Sequence, residues 1–304
     1  MLGVFCMSKY IFLFFTLIVP GLAQAVVNGQ EVLKEDPIAK SLVSIVGGKK
    51  QCSGFLIEGV EKKRSLVVTA AHCLFESGTM KKTKNLHVQF GRRFKAPRIS
   101  RKVTAFHIHP EFRHQIRWFG SSLLGKLALH DIALLEFEGE IPNGFSVAEL
   151  DASTVLSQGK VWVAGYGALG TKRWRATHAQ VEISDKRSRD EVLDLGDSLK
   201  TVSRQICVEA KATEGINIVA GDSGGPLYYF NGQNNPQIIG LVAVGRLKVK
   251  VPWRKHHEVV KTEITFHAPI SQNISWISDV LRELSSEVET QDSTPAGSPE
   301  ASSS

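Results

Sequence analysis

The chain has 304 residues, of which 42% are hydrophobic and 22% charged, with 26 Gly, 11 Pro and 4 Cys. That is enough apolar material for a sizeable core, and it excludes a largely disordered chain, a collagen-like repeat and a disulfide-framework mini-protein. The formal net charge of +7 is uneven: residues 1–25 carry only Lys9, and residues 285–304 carry Glu287, Glu289, Asp292 and Glu300 with no Lys or Arg, so the body between them stands at +10. Such a body attracts anionic partners at long range, although its basic residues form no recognisable nucleic-acid-binding motif.

Residues 1–25 read as a secretory signal peptide. Lys9 is the positive region, residues 11–19 are apolar except Thr16, Pro20-Gly21 breaks the run, and Ala23-Gln24-Ala25 is an A-x-A cleavage site. Met7 is an alternative start. An uncleaved anchor is the rival reading, and for it the apolar run is short against the ~20 residues of a membrane span. Cleavage delivers a secreted or periplasmic protein, with Cys52, Cys73 and Cys207 in an oxidising compartment.

From residue 41 onward, short apolar runs rich in Val, Ile, Phe and Thr alternate with Gly, Asn, Pro and charged clusters. They fall at 41–46, 54–57, 66–70, 86–90, 132–137, 160–164, 178–183, 226–230, 238–244 and 263–270. This is the pattern of an all-β sandwich or barrel. A less hydrophobic stretch at 139–158 connects two halves. Ile274, Ile277, Val280, Leu281 and Leu284 recur at helical spacing, which predicts a terminal helix docked on the core, with Ser271 or Asn273 as its cap. Residues 285–304, rich in Ser, Glu and Pro, are expected to be a flexible, disordered tail.

Three segments place a reactive side chain among small or apolar neighbours: Thr69-Ala70-Ala71-His72-Cys73, Asp131-Ile132-Ala133-Leu134-Leu135, and Gly221-Asp222-Ser223-Gly224-Gly225-Pro226. Singly, each also fits a structural histidine, a turn aspartate or an ordinary glycine turn. In this order, in a secreted β-rich chain, they make a constellation.

With these motifs, residues 26–284 resemble the chymotrypsin/trypsin-like serine endopeptidases. Further matches are Val26-Val27-Asn28-Gly29, Cys52-Ser53-Gly54-Phe55-Leu56, His109-Pro110-Glu111-Phe112, Val163-Ala164-Gly165-Tyr166-Gly167 and Trp276-Ile277. The resemblance implies two six-stranded antiparallel β-barrels with the active site in the cleft between them, plus the C-terminal helix. It implies Ser223 as nucleophile, His72 as general base and Asp131 as the group orienting the imidazole. A serine hydroxyl is a weak nucleophile that needs such a base, and imidazole titrates near the working pH. The oxyanion hole falls to the backbone N–H groups of Gly221 and Ser223. Gly221 to Gly225 also fits the G-x-S-x-G elbow of lipases and esterases, but those run Ser, acid, His along the chain, whereas this chain runs His72, Asp131, Ser223.

The resemblance also implies that the mature amino terminus turns inward to pair with Asp222. Here that terminus is Val26, directly behind the cleavage site and with no Arg or Lys before it, so signal peptidase itself is expected to generate it, without a separate propeptide. Cys52 and Cys73 match the family's bridge beside the histidine; closing such a loop stabilises by about 3 kcal/mol. Zinc held by Cys52, His72 and Cys73 is the poorer reading, because adjacent ligands and a missing fourth do not suit a tetrahedron. Cys207 is left as a buried thiol or an intermolecular link.

The chain also departs from the family. Asn217 occupies the base of the primary specificity pocket where a carboxylate would select Lys or Arg, so no strong Arg/Lys selectivity is expected. Ala243-Val244-Gly245 replaces the usual Ser-Trp-Gly lining, and Thr265 also faces the pocket. The basic stretch 77–110 lacks the carboxylates of a calcium loop. That stretch and a second one at 246–257 either steer anionic substrates or surfaces or are a solvated face. No cofactor or metal is expected, the partners are polypeptide substrates, and a monomer is expected. A catalytically inactive homologue that uses its cleft for binding is the alternative.

Overall fold

The computed structural model describes residues 26, 29–47, 50–59, 66–76, 79–80, 85–91, 99–112, 130–154, 159–167, 175–183, 206–210, 218–248 and 263–292. In chain order its strands are β1 (Gln30–Glu31), β2 (Leu42–Gly47), β3 (Lys50–Ile57), β4 (Leu66–Thr69), β5 (Phe75–Glu76), β6 (Thr79–Met80), β7 (Leu86–Phe90), β8 (Ile99–Ile108) and β9 (Ala133–Phe137). They continue with β10 (Glu149–Leu150), β11 (Gly159–Gly165), β12 (Thr177–Ile183), β13 (Ile206–Ala210), β14 (Pro226–Phe230), β15 (Pro236–Lys248) and β16 (Glu263–Pro269), followed by helix α1 (Ile270–Asp292).

The first half closes into an antiparallel barrel in the order β2-β3-β4-β9-β8-β7. Its sequence explains the closure. In β7, Leu86, Val88 and Phe90 are buried while His87 and Gln89 alternate with them, the period of two that turns one face inward. β4 is buried along its whole length, as a strand flanked on both sides should be. Phe55, Leu66, Leu86, Phe90 and Leu134 fill the interior; each such side chain taken from water contributes ~1.5–3 kcal/mol.

The second half is a sheet in the order β1-β12-β11-β14-β15-β16-β13, with β10 added in parallel beside β15. β12 also pairs with β13, so six of its strands form a ring to which β1 and β10 are appended. β12 buries Thr177, Ala179, Val181 and Ile183 and exposes Gln180 and Glu182. Val161, Val163, Leu227, Ile239 and Val242 pack beside them in a second apolar cluster.

The connection between the halves is bonded to both. Ser146 N–H donates to Lys40 O and Ala148 N–H to Leu56 O on the barrel side, and Asp151 N–H donates to Ile238 O on the other. The Tyr229 hydroxyl donates to the Asp151 carboxylate at 2.8 Å. Tyr166, after β11, reaches back so that its hydroxyl bonds Leu42 O and Gly91 O. These ties fix the two halves against each other, which a site shared between them requires.

Helix α1 buries Ile270, Ile277, Val280 and Leu284. It begins at Ile270, so Ser271 and Asn273 lie inside its first turn and neither is the expected cap. The helix also continues to Asp292, into the segment expected to be an unstructured tail from 285; residues 293–304, like the expected signal peptide at 1–25, lie outside the described residues.

Candidate active site

The antiparallel pairing of β4 with β9 sets Thr69 opposite Ala133. The end of one strand and the start of the other therefore meet at the same rim of the barrel. His72 follows β4 on a single 3-10 turn, Ala71–Leu74, and Asp131 precedes β9. The His72 Nδ1 lies 2.6 Å from Asp131 Oδ2, and the His72 backbone N–H donates to Asp131 Oδ1 at 2.8 Å. Asp131 is fully buried, whereas the His72 side chain keeps 24% of its surface exposed. A carboxylate only accepts, so Nδ1 carries the proton and Nε2 is left as an acceptor.

Ser223 comes from the other half, on the turn before β14. That turn is gripped by the barrel through Ser53 of β3. Ser53 N–H donates to Ser223 O at 2.8 Å, the Ser53 hydroxyl donates to Gly221 O at 2.8 Å, and the same hydroxyl accepts from Tyr166 N–H at 2.8 Å. Thr69 in turn holds Ser53, its hydroxyl donating to Ser53 O at 2.7 Å. Gly224 needs its glycine: its φ is +82°, and a Cβ there would come within 2.8 Å of Ala70 N. Gly221 has φ +105°, the backbone shape its place in the turn demands.

Cys52 and Cys73 form the expected disulfide, with Cα atoms 6.2 Å apart. Both sulfurs are committed to it, which leaves no thiolate there to join His72 around zinc. Cys73 Sγ lies 3.9 Å from His72 Nε2 and 3.8 Å from Ser223 O, so the His72 ring and the Ser223 backbone flank one sulfur. Among the described residues no hydrogen bond joins the Ser223 hydroxyl to His72 Nε2; such bonds often tighten only when substrate binds.

Asp222, the residue before Ser223, is fully buried. Its carboxylate accepts from Gly167 N–H at 2.7 Å, Val219 N–H at 2.9 Å and Val26 N–H at 3.3 Å. Gly165 and Gly167 leave the space for it, since a Cβ on either would collide with this carboxylate. Burial pushes the Asp222 carboxyl up to about 6, against the downward pull of the three backbone donors. Val26 is also fully buried, and its φ of +32° is a conformation that β-branched residues avoid.

The pocket candidates are divided. Asn217 lies outside the described residues. Ala243 is buried in β15 and supplies no hydroxyl to Asp131. Val244 and Gly245 continue β15 past a register shift opposite β16. Thr265 is buried in β16, 3.1 Å from Nε2 of His267. Cys207 is in β13 opposite Phe266. Most of the basic side chains of the two stretches lie outside the described residues; Lys102, within the first, pairs with Glu138, and Arg175, outside both, pairs with Glu31.

Sequence reasoning missed Ser53, Thr69, His267 and a group behind Asp131. There, His109 and His130 stack at 4.1 Å between ring centres, Trp276 lies 5.0 Å from His109, and His130 Nδ1 is 2.9 Å from Asn273 Oδ1. The Asn273 amide also donates to Pro269 O. Asn273 is buried, so the Asn273-Ile274-Ser275 string offers no accessible amide for a glycan.

Comparison with known proteins agrees with this geometry. The trypsin family model matches residues 27–277. The chain is similar to transmembrane protease serine 11G of Mus musculus, 28% identical over 59% of this chain and 40% of that protein. It is also similar to melanization protease 1 of Drosophila melanogaster, 31% identical over 38% of this chain and 32% of that protein. The matched segments thus span less than half of either relative. Together, the family match across most of the chain, the closed barrel and the His72–Asp131 pair beside the Ser223 turn lead to one conclusion: this chain belongs to the trypsin family.

Proposed function

We propose that the chain is a secreted or periplasmic serine endopeptidase that hydrolyses polypeptides through an acyl-enzyme. The observation that carries this reading is the 2.6 Å contact between His72 Nδ1 and Asp131 Oδ2 beside the clamped Ser223 turn. In this mechanism His72 Nε2 takes the Ser223 proton as the oxygen attacks the acyl carbon, and returns it to the leaving amine. Asp131 stabilises the imidazolium and fixes its tautomer. The N–H groups of Gly221 and Ser223 receive the oxyanion. Water then repeats the cycle on the ester. With Asn217 at the pocket base in place of a carboxylate, strong selectivity for Lys or Arg is not part of this reading.

The working unit is residues 26–284, its two halves joined through 139–158, and it needs no propeptide. Val26 N already sits 3.3 Å from Asp222, and Val26 carries a positive φ only because a residue precedes it. Cleavage after Ala25 removes that torsion altogether. It also turns the amide into an α-ammonium, with a pKa of about 8, which compensates the buried carboxylate. A silent binding relative is the second reading, favoured by Ala243 in place of a serine and by the missing Ser223–His72 hydrogen bond.

Expression through a secretory route tests both parts. The secreted protein is expected to begin at Val26 and to degrade an unfolded protein substrate, and the Ser223→Ala variant to degrade none. An active enzyme beginning elsewhere refutes the processing step. Inactivity of protein beginning at Val26 favours the binding reading.

A further inference from the structure

On the turn before β14, the backbone N–H groups of Gly221 and Ser223 donate to no group among the described residues. Most backbone N–H groups of a folded protein are paired, and these two are the donors assigned above to the oxyanion. Their aim depends on Gly221. A glycine leaves the peptide planes on either side of it free to rotate, and this one is held at a φ of +105°. Its carbonyl is fixed by Ser53, whose hydroxyl donates to Gly221 O at 2.8 Å. Ser53 is fully buried and its hydroxyl also accepts from Tyr166 N–H, so its one proton is committed to Gly221. The Ser53 N–H donates to Ser223 O at 2.8 Å. One residue of β3 thus grips the carbonyls on both sides of Asp222. That grip is anchored within the barrel, because the Thr69 hydroxyl of β4 donates to Ser53 O at 2.7 Å. On Asp222 itself, the carboxylate accepts from Val26 N–H at the longer distance of 3.3 Å.

We propose that Ser53 is a positioning residue for the oxyanion hole, and that the hole has two supports of which the amino terminus is only one. The inference deepens the peptidase reading above and rests on it. The two supports touch different atoms of one turn. The Val26 nitrogen acts on the Asp222 side chain, alongside the Gly167 and Val219 N–H groups of the second half. Ser53 acts on the carbonyls of Gly221 and Ser223 from the barrel. Each support limits how far the turn can move when the other is lost. Their effects on catalysis are therefore coupled: losing one is partly masked while the other holds, and losing both lowers the rate by more than the product of the two losses. Ser53 also sets the donors in the same frame as His72 and Asp131, which stand on the rim of that barrel.

The test is a mutant cycle in processed protein whose first residue is 26, with competent sites counted by a fluorophosphonate so that kcat is read per folded, labelled site. Ser53→Ala removes the barrel support. Val26→Gly weakens the other, because it deletes a fully buried side chain that packs in the second apolar cluster. An oxyanion donor acts only once the acyl carbon is tetrahedral, so its misplacement lowers kcat and spares KM. Expected is a fall in kcat of about tenfold in Ser53→Ala, with KM within about twofold, and recovery to within about threefold of the parent in Ser53→Thr, which keeps the hydroxyl. In the double variant the loss exceeds the product of the single losses by about threefold or more. If Ser53→Ala does not fold, Thr69→Val replaces it in the cycle, since it keeps Ser53 but frees its carbonyl; the same excess is expected at about twofold. An unchanged kcat per labelled site, or losses that simply multiply, overturns the inference while leaving the peptidase reading intact. Folded parent protein that takes no label at Ser223 overturns the peptidase reading, and this inference with it.

Discussion

Asp131 holds His72 by two contacts, one to the ring and one to the backbone, and it is fully buried while doing so. Replacing its carboxylate by an amide keeps the shape but forces the other tautomer, in which Nε2 is protonated and cannot accept from Ser223. Asp131→Asn is therefore expected to lower kcat by about 10⁴ with little change in KM, read by steady-state kinetics on a peptide ester. Ser53 illustrates a different role. Its hydroxyl is held between two backbone groups, donating to Gly221 O and accepting from Tyr166 N–H. Ser53→Ala leaves both without a partner, which is expected to destabilise the fold by about 1–3 kcal/mol in denaturant titration and to lower kcat by loosening the Gly221 backbone. The strings around His72, Asp131 and Ser223 were legible because the proposed chemistry calls for those residue types in that order, and the structure brings His72 and Asp131 into contact. Ser53 and His267 were not, because a serine in a strand or a histidine near a helix signals nothing until its neighbours across the sheet are known.

At the scale of elements, all ten apolar runs coincide with strands, since alternation and β-branching report directly on a half-buried pleated surface. The ones missed have weaker patterns. β8 carries Ser100, Arg101, Lys102 and Thr104 at partly or fully exposed positions, so little apolar periodicity marks it. β13 pairs on both edges, with β12 and with β16, and its identity is decided by those partners. Helix α1 was legible on its apolar face but not in its consequence for the site. Asn273 ties its first turn to His130, the residue before Asp131, while Trp276 packs against His109. Asn273→Ala is expected to lower the melting temperature and reduce kcat several-fold with KM nearly unchanged. Normal kcat in that variant would show that the Asp131 segment needs no support from the helix.

For the whole molecule, the amino terminus sets the response to acid. Where residues precede Val26, Asp222 is buried without a compensating charge, and burial raises its carboxyl from 3.8 to about 6. The folded state then binds a proton that the unfolded state releases, so this group's contribution to stability rises as pH falls through that window and is lost as pH rises again. Once Val26 is a free ammonium, Asp222 is held ionised and its contribution is instead lost on acidification. His109 and His267, both held well below the usual histidine range by burial, lose stability as pH falls in either form and cancel in the comparison. Between pH 7 and pH 4.5 the processed protein is expected to lose more melting temperature than the same chain with two extra residues ahead of Val26. Equal losses would mean that the terminus does not reach Asp222. The two-part architecture was expected from the resemblance to the family, and the polar stretch at 139–158 was read as the connection between its halves. That the second half is a six-strand ring with two further strands attached depends on the β12–β13 and β10–β15 pairings, which no local pattern encodes.

Reaction with a fluorophosphonate, followed by mass spectrometry of the labelled peptide, probes the central claim most directly. Protein beginning at Val26 is expected to take up one phosphonyl group, on Ser223, with the rate falling by orders of magnitude in His72→Ala. An unlabelled Ser223 in folded, processed protein, or labelling indifferent to His72, would contradict the claim that a histidine from the barrel activates a serine from the opposite half.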